Sequence, residues 1–308
     1  MAEEETSPSV PSESPQNPGA QAGRAPSADV EPPRQVSRAR RKRVAVSPGI
    51  FLFGGVKLGF QNFSTFFLLA FFCQAPLFVT QIWAAESLFA RKIAALTGKG
   101  PLDEVTLIVP SAGNLFLQGI LGFLTTAVLV FTAVQTLSGR RPSFGEAFSQ
   151  GFSRLLPLLW VSFLSSLFVG IGFLLFLVPG FILLFMLYLA PTVTVMEGKG
   201  GMQALKRSAR LTNGYKLDLF LGLLPLGVVS GIWTGVWQWG GVSLITSVIG
   251  RPQSLEGWKF VVGAHAFFST LWPVVYSLFT ATFASFAYVK LKELKEGVSI
   301  RELVEVFR

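Results

Sequence analysis

Five stretches of this chain, residues 58–85, 105–139, 155–196, 219–250 and 260–289, contain no Asp, Glu, Lys or Arg. The hydrocarbon core of a bilayer is about 30 Å thick and an α-helix rises about 1.5 Å per residue, so about 20 apolar residues cross it. A charge held at mid-depth costs roughly 3 kcal/mol or more. Each stretch meets both conditions, and the chain is expected to cross a membrane repeatedly. Of its 308 residues 14% are charged and 51% hydrophobic, whereas a soluble domain carries about 25% charge. Six spans with their connections use nearly everything after residue 48, which leaves no room for a soluble catalytic domain.

Residues 1–48 hold eight prolines and few large apolar side chains. Such a segment buries too little surface to offset chain entropy, and a disordered cytoplasmic tail is expected. It ends in the basic run Arg38, Arg40, Arg41, Lys42 and Arg43, read as an anchor beside anionic lipid.

The 155–196 stretch is 42 residues long, about twice one span, with Val178-Pro179-Gly180-Phe181 near its centre. A tight helical hairpin with a type II turn at Pro179-Gly180 is expected there. The remaining stretches give one span each, near 64–84, 114–137, 219–239 and 263–288, with the excess of 105–139 and 219–250 assigned to interfacial or re-entrant segments. The fold class is therefore an all-α polytopic membrane protein with six transmembrane helices. It divides into a 1–48 tail, a 49–290 membrane domain and a short cytoplasmic helix over 291–308, where Ser299-Ile300-Arg301-Glu302 begins like a capped helix.

Lys and Arg stay on the cytoplasmic side during insertion. The tail with Lys57, the segments 138–156 and 197–218, and the C-terminus hold 21 of them, against 5 in the two alternate loops. Both termini are expected in the cytoplasm. The formal net charge of +9 then reflects membrane orientation, and no nucleic-acid partner is implied. Trp233, Trp237, Trp239 and Trp258 gather at the outer end of the fifth span as an interfacial belt.

A half-apolar helical element recurs before the spans, over Ile50–Phe63, Ser143–Leu156 and Met202–Asn213. With Gly59, Gly151 and Ser208 in register, Gly55, Ala147 and Ala204 coincide, as do Val56, Phe148 and Leu205. Three repeats of interfacial helix plus helical hairpin are expected, the cations of each helix facing anionic lipid.

Several runs are more specific: Leu177-Val178-Pro179-Gly180, Tyr188-Leu189-Ala190-Pro191, Glu197-Gly198, and Ala204-Leu205-Lys206-Arg207-Ser208-Ala209-Arg210-Leu211-Thr212-Asn213-Gly214. The chain resembles the membrane domain of the glycerophosphoryl diester phosphodiesterase membrane-domain family and related uncharacterised bacterial inner-membrane proteins, most closely over 140–225. Ala209 departs from a position often aromatic in such proteins. The resemblance implies a bacterial cytoplasmic membrane and, since no catalytic barrel follows the sixth span, no phosphodiesterase activity.

Chemistry is scarce. The single histidine is His265 and no carboxylate lies within a span, so catalytic, cofactor-binding and metal-binding residues are all read as none. His265, near Gln and Ser side chains of neighbouring helices, is expected to pack with a hydrogen bond rather than handle protons. The lone Cys73 allows no intramolecular disulfide. Lys206, Arg207, Arg210 and Lys216, beside Lys199 and Glu197, are candidate contacts for lipid phosphates, and a Glu197 ion pair orienting the loop is the plainer reading of that cluster. Gly227, Gly231 and Gly235 lie on one face of the fifth span and suit close helix packing, within the chain rather than between copies. The expectation is a non-enzymatic protein whose partners are membrane lipids, anionic on the cytoplasmic side, or an unidentified protein. The alternative is a transporter or flippase for an amphipathic lipid-like substrate.

Overall fold

The computed structural model describes residues 47–96 and 104–297. Among them the elements are all helices: α1 (Pro48–Gln61), α2 (Phe63–Leu96), α3 (Glu104–Leu137), α4 (Phe144–Leu175), α5 (Leu177–Leu187), α6 (Ala190–Glu197), α7 (Gly201–Thr212), α8 (Lys216–Ile249) and α9 (Leu255–Glu296). Six stretches are long and apolar enough to cross a bilayer: Phe63–Ala85, Gly113–Leu137, Phe144–Leu175, Leu177–Glu197, Lys216–Ile249 and Leu255–Glu296. The protein is a multi-pass membrane protein. The expected 1–48 tail, except for its last two residues, and the expected helix over 299–307 lie outside the described residues.

Helix is what hydrocarbon demands, because every backbone N–H and C=O must find a partner within the segment. Several hydroxyls in the core follow the same rule. Thr132 donates to the Val128 carbonyl at 2.8 Å, Thr282 to Leu278 at 3.0 Å and Ser285 to Ala281 at 2.8 Å, so each polar side chain is absorbed by its own helix. α9 packs against α1, α2, α3 and α8, and its Leu278, Phe283 and Tyr288 are fully buried with Phe51, Phe66 and Leu129.

The hairpin of 155–196 is present, but its turn is not the expected one. The break falls at Phe176, whose backbone is extended (φ −161°, ψ 154°), and Leu177, Val178, Pro179 and Gly180 form the first turn of α5. First-turn N–H groups have no intrahelical acceptor, so a proline there forfeits nothing. Gly180 has a second role, since a Cβ on it would meet the Phe173 ring at 2.4 Å, too close for the two arms of the hairpin.

No break sets off the excess of the long stretches from their spans. α3 and α8 are unbroken helices of 34 residues, and α4 runs from the Ser143 cap straight through Pro157. The element over 143–156 is thus the first part of a span, whereas those over 50–63 and 202–213 are separate helices. The register of the three does carry a packing meaning. Gly55, Ala147 and Ala204 are buried, as are Gly59, Gly151 and Ser208. A Cβ on Gly55 would lie 2.6 Å from the Phe283 Cα, and one on Gly151 would lie 2.5 Å from a Val128 methyl. Each small residue is where another helix comes close. At the other end of the chain, α9 continues without interruption through 290 to Glu296 and stops at Gly297, in the left-handed region (φ 71°). Residues 291–296 therefore belong to the sixth span's helix.

Candidate functional site

α7 buries Ala204, Leu205, Ser208, Leu211 and Thr212, which at 100° per residue form one face. The carbonyl of Met186, in the last turn of α5, is among those a helix end leaves without an intrahelical donor. Ser208 donates to it at 2.9 Å and Thr212 at 3.1 Å. Ser208 and Thr212 are four residues apart, so both hydroxyls reach one oxygen from a single helix face.

The four candidate phosphate contacts separate once placed on that helix. Arg207 borders the buried face and is occupied. Its Nε donates to both oxygens of Glu197 at 2.9 and 3.0 Å, and its other nitrogens pair with Glu197 and Glu296. Glu197, 9% exposed at the end of α6, also accepts from Lys199 at 2.6 Å and from the Tyr288 hydroxyl at 3.0 Å, with Lys292 at 3.9 Å. Hydrogen bonding to Glu296 and to Glu197 holds the Arg207 guanidinium above its usual pKa, against the opposing effect of burial. Arg207 is therefore removed from the set of free cations. Lys206 and Arg210, on the opposite side of α7, are exposed, with no ion pair among the described residues. Lys295 closes the C-terminal end of α7 by donating to the carbonyls of Arg210 and, at 2.7 Å, Asn213.

Lys216 opens α8 beside a crevice of about 320 Å³ between α5 and α8, walled by Phe181, Ile182, Phe185, Leu217 and Phe220. The groove is apolar apart from the one ammonium in its lining.

A second feature was not assembled from the sequence. In the half of the bundle remote from α7, the helices α2, α3, α8 and α9 enclose a cavity of about 590 Å³ lined by Gln74, Gln81, Asn114, Gln118, Gln238 and His265. The His265 ring stacks on Trp237, centroids 5.5 Å apart and nearly parallel, with Nε2 at 3.3 Å from the Trp237 carbonyl. The Trp237 indole donates to Ser269 at 3.0 Å, and Ser269 donates to the His265 carbonyl at 2.7 Å. Of the tryptophans read as a belt, Trp237 is half-buried on His265 and Trp233 stacks on Trp272 at 4.8 Å while staying exposed, and Trp239 is 91% exposed. A periodic signal for the cavity was available: Gln74 with Gln81, and Asn114 with Gln118, recur at helical spacing.

Gly227, Gly231 and Gly235 are corrected. No described atom lies within 4 Å of a Cβ placed on any of them, so no helix among the described residues packs on that ridge. The glycines of α8 that do permit close approach are Gly222, where a Cβ would sit 3.1 Å from the Phe283 ring, and Gly241, where it would sit 2.7 Å from the His265 ring. Among the described residues no cluster of three His, Cys, Asp or Glu offers a metal-ligand set. The chemistry on offer is ion pairing at one end and neutral hydrogen bonding at the other.

No family model matches the sequence, and no solved structure matches it. The chain is similar to a UPF0259 membrane protein of Pectobacterium carotovorum, 29% identical over 114 residues, which cover 37% of this chain and 46% of the relative. It is also similar to a UPF0259 membrane protein of Sodalis glossinidius, 32% identical over 110 residues, covering 35% and 43%. The chain spans less than half the length of the curated relatives it matches. These likenesses lie within an uncharacterised bacterial membrane family and give no support to the expected link with the glycerophosphoryl diester phosphodiesterase membrane domain.

Proposed function

We propose that this membrane protein is a non-enzymatic, lipid-interacting protein of a bacterial cytoplasmic membrane, with both termini in the cytoplasm and α7 lying against anionic headgroups. The observation that carries this reading is the division of labour on α7. Glu197 and Glu296 hold Arg207 inward, while Lys206 and Arg210 face away from the packed side. Lys216 over its apolar crevice offers a third cationic contact that can take headgroup and chain together. A scaffold for a protein partner would use the same outward surface.

Each exposed cation near an anionic surface contributes about 1 kcal/mol. Neutralising Lys206 and Arg210 together, as Lys206→Gln and Arg210→Gln, should therefore reduce retention of phosphatidic acid relative to phosphatidylcholine by roughly thirtyfold at low salt, read by native mass spectrometry from gentle detergent. Unchanged retention would overturn the reading. Its orientation has a separate test, because reporter tags inserted at Lys92 and Arg251 should be accessible only from outside the cell.

The transporter reading keeps one supporting observation, a polar cavity among apolar spans, since such linings mark substrate paths. Movement of labelled lipid by purified protein in liposomes, abolished by the same double substitution on α7, would favour it over a static lipid-binding role.

A further inference from the structure

We propose that the cavity between α2, α3, α8 and α9 is a binding site for a neutral, hydroxyl-bearing group, of the kind found in a sugar headgroup or a free polyol. Five carboxamides face it, from Gln74, Gln81, Asn114, Gln118 and Gln238. A carboxamide presents acceptor and donor side by side, and so does each hydroxyl of a sugar. His265 adds a ring with one nitrogen of each kind or two donors. Among the described lining residues none is an Asp, Glu, Lys or Arg, so these residues offer a phosphate or ammonium no counter-charge.

The amides are also under-used by the protein itself. Gln81, Gln118 and Gln238 have no hydrogen-bond partner among the described residues. Gln74, only 4% exposed, makes one long contact of 3.4 Å to Ser277, and Asn114 accepts from Thr80 at 3.3 Å. Gln118 and Gln238 are exposed and Gln81 is half-buried, so their donors and acceptors stay open to a ligand. Together with Gln74 and Asn114 they converge from the three helices α2, α3 and α8, with His265 of α9 beside them, and a ligand with many hydroxyls can be seated among them. The volume is suitable, for about 590 Å³ lies within the roughly 300–1,000 Å³ range of small-molecule sites. Leu77, Ala84, Ala266 and Pro273 supply the apolar remainder of the wall, against which the carbon face of a sugar ring can rest.

The site shares no residue with the anionic-lipid surface, and it stands whether or not its occupant is transported. The first arm of the test uses the unmodified full chain in detergent. Native mass spectrometry with monoglucosyl diacylglycerol should show retention at least tenfold above phosphatidylcholine, or, if the ligand is a free polyol, glucose should change the tryptophan fluorescence through Trp237 beside His265. The lipid arm alone assigns a headgroup, and a response to glucose assigns a free sugar. Failure of both arms on unmodified protein overturns the proposal. The second arm uses Gln81→Leu with Gln118→Leu, which removes two amides, and separately Ala85→Phe, which fills the space while keeping every polar atom. Each should lower the positive response at least tenfold and leave phosphatidic acid retention unchanged. Persistence of the response in both would place the binding elsewhere and overturn the assignment. A loss of phosphatidic acid retention in Lys206→Gln with Arg210→Gln leaves this result untouched, so the two readings fail separately.

Discussion

Replacing Glu197 with alanine should be among the most damaging single changes in this protein, lowering stability by about 3–5 kcal/mol. The carboxylate sits between α6, α7 and α9 and gathers Lys199, Arg207, Tyr288 and, more distantly, Lys292. Its removal leaves Arg207, only 20% exposed, with Glu296 as its remaining acid, and leaves the Tyr288 hydroxyl without its acceptor in a fully packed setting. Truncating one member of a buried ionic group is worse than the net contribution of the group, since the desolvated partners stay behind. Glu197→Gln, which keeps the shape and an acceptor for Tyr288, should fall between the native protein and Glu197→Ala. A double cycle with Arg207→Met should show coupling of roughly 1–3 kcal/mol. Thermal unfolding in detergent reads all of these, and additive losses would mean that the two side chains act independently.

Gly55→Leu should have the second large effect. At this position α1 lies on α9 so closely that even a methyl would stand 2.6 Å from the Phe283 Cα. Backbone cannot rotate aside as a side chain can, so the helices must part and expose the contact around Phe51 and Phe283. A cost of about 3 kcal/mol is expected. The control is Gly231→Ala, where the space is open and the change should be neutral or stabilising by up to about 1 kcal/mol through helix propensity. If both substitutions leave the melting temperature unchanged, α1 does not dock as described.

The six spans were legible because exclusion of charge from hydrocarbon leaves an unambiguous record: five stretches bare of Asp, Glu, Lys and Arg, one of double length. Their internal breaks were less legible. Pro179-Gly180 suits a turn and a helix start equally well, and what decided between them was the extended conformation of Phe176, which no local preference announces. Among the cations the sequence did hold the answer. The small and apolar residues of α7 define its inner face, and Arg207 borders that face whereas Lys206 and Arg210 lie across the helix from it. What the sequence could not supply was the partner, because Glu296 lies 89 positions away and meets Arg207 only once α9 has packed beside α7. The Gly227, Gly231 and Gly235 ridge shows the opposite failure. A small-residue stripe states that a close neighbour would fit, not that one is there. The cavity escaped notice because each window contributes only one or two carboxamides, and their sum exists only across helices.

The last turn of α9 grips α7 twice, with Lys295 on its terminal carbonyls and Glu296 on Arg207. Whatever engages the residues beyond Gly297 therefore holds a short lever on the basic helix. A pull or a twist applied there would reach Lys206 and Arg210 without first deforming any oil-immersed segment.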